Sequence, residues 1–111
     1  MNATLRVALY GLVVAVARVL ACPSGAHAEN VAEGGRLAQS LCSRCHVITP
    51  DGPAGWTNAP SFAAIANKPT TTSASLQAII QKPHMKMSSV AQRNPSEAAD
   101  LAAYILTLKQ K

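Results

Sequence analysis

The chain has 111 residues, room for one domain and not for two. Apolar residues make up 49% of it and charged residues 14%, which excludes a disordered or acidic solvating chain and implies a packed domain. Aromatics supply only 4%, one Trp, two Tyr and one Phe, so the large side chains that fill most cores or stack on bases are scarce, and another group is expected in the middle.

Residues 1–28 have the pattern of a cleavable signal peptide. Arg6 is a positive n-region, Val7 to Val16 is an apolar run too short to span a bilayer, and Ala26-His27-Ala28 is an A-x-A cleavage site before Glu29. An amphipathic first helix is the competing reading, but Arg18 breaks its apolar face and Cys22-Pro23-Ser24-Gly25 would end it. A lipoprotein signal is a third, since Leu20-Ala21-Cys22 has a lipobox-like ending whose residue order fits that motif poorly. Cleavage after Ala28 leaves a domain of residues 29–111, exported to the periplasm. The formal net charge of +5 falls to +3 once Arg6 and Arg18 are removed, and the remaining Lys and Arg are scattered without aromatic neighbours. Nucleic-acid binding is therefore disfavoured. No second apolar stretch in the mature chain is long enough to span a membrane.

Asn30-Val31-Ala32-Glu33 has the form of a capping box, and a helix is expected from about Val31 to Leu41, with Val31, Gly34, Ala38 and Leu41 on one face. Gly34 and Gly35 together cost about 2 kcal/mol of helix propensity, which requires a packing reason such as another helix crossing there. Turn residues fill Thr49 to Gly55, and Trp56 ends that loop. Ser61 caps a short helix, Phe62 to Asn67, stopped by Lys68-Pro69. Thr70 to Ser75 offers several N-caps to a helix with the apolar stripe Leu76, Ile79 and Ile80, ended by Pro83. After the irregular stretch Pro83 to Arg93, Asn94 caps a last helix, Pro95 occupies its first position and Glu97 completes a capping box. That helix, about Pro95 to Lys109, carries Ala98, Leu101, Ala102, Ile105 and Leu108 on one face with Tyr104 beside it. No period-2 pattern occurs, so the fold class is all-α.

The chemistry lies in Cys42-Ser43-Arg44-Cys45-His46, a C-x-x-C-H on an exported chain. On one helical turn, side chains three and four apart share a side, so two thiols can bond the vinyl edges of a porphyrin while the His46 imidazole reaches the iron. The motif therefore points to one covalent haem c. A thioredoxin-like redox pair would want a preceding strand and a larger α/β chain. Zinc would want more ligands than Cys42, Cys45, His46 and His84 supply, and a structural disulfide does not use the trailing His. An electron carrier wants a second axial ligand, and beyond Met1 the only methionines are Met85 and Met87, in Pro83-His84-Met85-Lys86-Met87. The sixth ligand is expected from that segment, with His84 or an open site as the alternatives.

These residues, in this order, resemble a small bacterial class I (monohaem) cytochrome c: Gly34 eight before Cys42, the C-x-x-C-H, Ala59-Pro60-Ser61-Phe62, Pro-His-x-x-Met at 83–87 and Asp100-Leu101-Ala102-Ala103-Tyr104. The resemblance implies four to five short helices around one covalently attached haem, the first and last crossing at Gly34 against Leu101 and Tyr104. It implies a Pro carbonyl on the proximal His46 N–H, best matched by Pro60, with Pro53 the alternative. It also implies a Trp56 contact to a haem propionate or plain packing, and Met87 as the distal ligand. The chain departs from the family in having Ser88 where Pro is usual and a second Met at 85. Met87 lies deeper in the loop than Met85 and matches the family position three after the His.

The expected function is one-electron transport and not catalysis of bond chemistry, between periplasmic or membrane redox partners with acidic docking surfaces. Arg44, Lys82, Lys86 and Arg93 are the candidate steering charges. The protein is expected as a monomer or as a subunit of a redox complex. The alternatives are a dedicated haem c subunit of an exported dehydrogenase or oxidase, or a sensor or peroxidase-like protein with an open distal site. Short helices with few aromatics bury too little surface alone to offset roughly 1.5 kcal/mol of ordering per residue. Cys42→Ala with Cys45→Ala is therefore expected to leave a haem-free, largely unfolded chain; native-like helical circular dichroism with a cooperative melt would contradict this.

Overall fold

The computed structural model describes residues 27–52, 58–82, 87 and 93–111. Among them are four helices and no strand: α1 (Val31–Leu41), α2 (Phe62–Ala66), α3 (Ser73–Gln81) and α4 (Pro95–Thr107). The leader segment 1–26, Pro53, Trp56, His84, Met85 and Lys86 lie outside the described residues. Within them no helix is long and apolar enough to cross a membrane. α4 is the hub against which α1, α2 and α3 all pack.

Each helix starts where a side chain accepts an otherwise orphaned N–H. Asn30 accepts from the Glu33 N–H at 3.1 Å, Ser61 from Ala64 at 3.1 Å and Asn94 from Glu97 at 2.9 Å. The two expected capping boxes form only on one side. Glu33 turns outward to Arg36, leaving the Asn30 N–H to Asp100, and Glu97 pairs with Arg93 at 3.9 Å. A nearby cation draws each glutamate away from the cap. The complete box is Thr72 with Ser75, whose short side chain has no such competitor.

The buried face of α1 is Gly34, Leu37 and Ala38, while Val31 is exposed, contrary to the expected stripe. The close crossing at Gly34 places α4 over the middle of the helix and leaves its first turn in water. In α3, Leu76 and Ile80 are buried and Ile79 is exposed, because the i, i+4 pair alone faces α4. α4 buries Ala98, Leu101, Ala102, Ala103 and Ile105, and also Asp100. It stops at Thr107, two residues before the expected end, where the Asn67 side chain accepts the Gln110 N–H at 2.9 Å and draws the chain off.

Gly34 is the crossing point. A Cβ there would stand 2.6 Å from the Asp100 carbonyl carbon and 2.9 Å from Tyr104 Cβ, and a Cβ on Gly35 would stand 3.2 Å from the Tyr104 ring. The two glycines let the Tyr104 ring lie against α1, which is the packing reason for their helix cost. From there the Tyr104 hydroxyl donates to the Ile48 carbonyl at 2.9 Å, across 56 positions of sequence. Gly34→Ala sets a methyl against backbone that cannot rotate away and is expected to destabilise by about 1–3 kcal/mol, seen as a lower denaturant midpoint. Tyr104→Phe keeps the ring and orphans the Ile48 acceptor, and is expected to cost about 1 kcal/mol with the helix content unchanged.

Candidate functional site

The segment after α1 continues its spiral as turns. Both the Cys42 and Ser43 N–H groups donate to the Ala38 carbonyl, at 2.9 and 3.1 Å, and the Cys45 and His46 N–H groups donate to Cys42, at 3.0 and 2.9 Å. This winding places Cys42, Cys45 and His46 on consecutive corners of one tight turn, as the C-x-x-C-H spacing requires. Cys42 is half-buried and Cys45 exposed.

His46 is 8% exposed, and its Nδ1 lies 2.7 Å from the Pro60 carbonyl. A carbonyl only accepts, so Nδ1 bears the proton and Nε2 keeps its lone pair, the form of imidazole that ligates a metal. The Phe62 ring stands 5.4 Å from the imidazole, the Phe62 N–H donates to the Val47 carbonyl at 2.9 Å, and Tyr104 meets Phe62 edge-on at 6.4 Å. His46 is thus held from α2 and, through Phe62 and Ile48, from α4.

Burial, reinforced by the neighbouring Cys45, pushes the Cys42 thiol up to about 11, with the charge of Arg93 opposing. A thioredoxin-like pair depends on a depressed thiol, so this environment is the opposite of a redox dithiol. Among the described residues no group of three or more His, Cys, Asp or Glu side chains converges, which leaves no zinc cluster there. A cavity of about 150 Å³ beside His46, lined by Gln39, Ser43, Ile48 and Thr49, is far below the roughly 300–1,000 Å³ of drug-sized ligand sites. It is no porphyrin site.

The residues present fit a haem. Two thiols and a buried imidazole with its Nε2 lone pair kept share one turn, and the Arg93 Nε is buried without a hydrogen-bond partner. The core agrees: alanines 38, 66, 98 and 102 are its sealed residues, and every larger apolar side chain keeps some exposure. Of the other sequence-derived candidates, Met87 is described and half-buried. Trp56, Met85, His84 and Pro53 lie outside the described residues. The sequence had marked Arg93 only as a surface charge. Its lone signal for a local role is its place directly before the α4 N-cap, which also brings it to Glu97.

The cytochrome c family model matches residues 31–109, most of the chain. The chain is 37% identical over 98 residues to cytochrome c-552 of Bradyrhizobium diazoefficiens, covering 88% of this chain and 90% of that protein. No solved structure shows significant similarity to it. The matched segment contains Cys42 and Cys45, the attachment points of one covalent haem c, and all four described helices. Turn geometry, imidazole tautomer and sequence similarity therefore agree that this haem electron carrier belongs to the cytochrome c family, as a small class I member of the bacterial kind.

Proposed function

We propose that the protein is an exported single-haem carrier that moves one electron at a time between periplasmic or membrane redox partners, with His46 and Met87 as the axial ligands. The observation that carries this reading is the buried His46 ring, fixed by the Pro60 carbonyl on the same turn as both thiols. The bound haem iron supplies the one-electron couple. The chain's residues make that couple usable. The Pro60 carbonyl raises the basicity of His46 and prevents the ring from turning, so little moves when the charge changes. A Met87 thioether, a soft ligand, favours the reduced state and raises the potential.

Export is supported by the position of the domain's first described helix: the α1 cap, Asn30, follows the A-x-A site at Ala28 by two residues, so cleavage there leaves all four described helices whole. Docking of an acidic partner is supported by charge. Arg44 and Lys82 are exposed, and with Lys86 they give the sign that steers such a partner into a small, salt-sensitive encounter. Arg93 contributes less, since it pairs with Glu97 and buries its Nε.

Spectra of the haem-loaded protein test the ligation. Met87→Ala is expected to abolish the weak sulfur-to-iron absorption band of the oxidised protein and to lower the reduction potential, while Met85→Ala leaves both nearly unchanged. The reverse pattern assigns the ligand to Met85, a band that survives each single substitution means that either sulfur can serve, and a band absent from the unsubstituted protein removes methionine from the site.

A further inference from the structure

At the start of α1, one buried carboxylate gathers the backbone that leads into the helix. Asp100 on α4 is 4% exposed. Its Oδ1 accepts the Asn30 N–H at 2.7 Å and lies 2.9 Å from His27 Nε2. The Asn30 hydrogen bond first, and the His27 contact second, hold this carboxyl below the usual carboxylate range against the opposing effect of burial. A carboxylate at this depth requires such donors, because nothing else offsets its lost hydration.

His27, however, belongs to the leader in the reading proposed above, and cleavage after Ala28 removes it. The same cut creates an α-ammonium on Glu29. That nitrogen is one residue before the Asn30 nitrogen already bonded to Asp100, so it lies within about 3.8 Å of it along the chain. Glu29 is also placed from its other side, where its carboxylate accepts from Ser73 Oγ of α3 at 3.4 Å. The remaining charged groups nearby are engaged with each other: Glu33 on α1, which feels the negative charge of Asp100, is paired with Arg36, and Arg36 in turn feels Glu97 on α4.

We propose that Asp100 is the binding site for the α-ammonium that processing creates at Glu29, so that the mature chain replaces an imidazole contact with a buried charged pair. The inference rests on the cleavage position of the export reading. It makes the start of the fold sensitive to where the leader is cut: a cut further upstream moves the cation away from the carboxylate, and a cut one residue later puts the charge on the Asn30 nitrogen itself. The signs are opposite on the two partners. The α-amine, raised by its partner, contributes stability below its unfolded-state value and loses it as pH rises through the folded one. Asp100, depressed, contributes above its unfolded-state value and loses it as pH falls through the folded one. The pair therefore acts across the neutral range.

Two measurements separate the site from the processing. The mass of the native exported protein gives the cleavage position. Separately, a haem-loaded chain produced to begin at Glu29, isotopically labelled on its α-amine and on aspartate carboxyls, is titrated by NMR in the reduced state. The α-amine is expected to titrate above the ordinary α-amino range, with the Asp100 carboxyl resonance following the same step, and Asp100→Asn is expected to return it to that range. An ordinary α-amine titration in the unsubstituted chain, or an Asp100 resonance that ignores it, overturns the site and leaves processing at Ala28 standing. A native mass beginning anywhere but Glu29 overturns the processing reading, and with it the Glu29 ammonium as the partner of Asp100.

Discussion

The contact on which the domain depends is the approach of α1 to α4 at Gly34, where backbone meets backbone with no side chain between. A single Cβ there would stand 2.6 Å from the Asp100 carbonyl carbon, so the spacing of the two helices is set by a missing atom. This closeness brings the Asn30 N–H within reach of the Asp100 carboxylate. It also lays the Tyr104 ring against Gly35. The helix propensity lost at two adjacent glycines is offset by contacts that a wider crossing could not make.

The crossing reaches the candidate iron ligand, His46, through two aromatic rings. Tyr104 holds the Ile48 carbonyl and meets Phe62, and Phe62 stands beside His46 while its own amide holds Val47. Each hydrogen bond is individually worth about 1 kcal/mol, but together they fix the two residues that follow the ligand, leaving the ring one orientation. Residues 29–111 hold three Phe, Trp or Tyr side chains, Trp56, Phe62 and Tyr104, and the latter two are committed to this support. The remainder of the described core is aliphatic, with Leu37, Leu76, Ile80, Leu101 and Ile105 packed around fully buried alanines that supply close packing but little buried area.

The same economy governs the polar groups. The two buried polar side chains, His46 and Asp100, are each met by a backbone group, a carbonyl in one case and an amide in the other. Backbone partners have no rotamer freedom to lose, so only the His46 and Asp100 side chains bear an entropy cost in these contacts.

Sequence alone determined the features that depend on near neighbours: the all-α class, the N-caps at Asn30, Ser61 and Asn94, and the cysteines and histidine on one turn. All of these follow from spacings of three or four residues, which the helical repeat converts directly into proximity. The two helix glycines alone point to a crossing at Gly34, whereas its partners Leu101 and Tyr104 and the Pro60 carbonyl follow from the resemblance to class I cytochromes c, because 14 positions separate Pro60 from His46 and no local periodicity joins them. Tertiary structure decided which way Glu33 and Glu97 turn, that Val31 and Ile79 are exposed where Leu37 is buried, that Tyr104 reaches Ile48, and that Asp100 meets the start of the domain. The two glutamates are drawn by cations three and four residues away, a competition that the capping pattern alone does not rank. The others depend on the azimuth at which two helices meet, which is set by contacts between residues far apart in the chain and not by a periodicity within either helix.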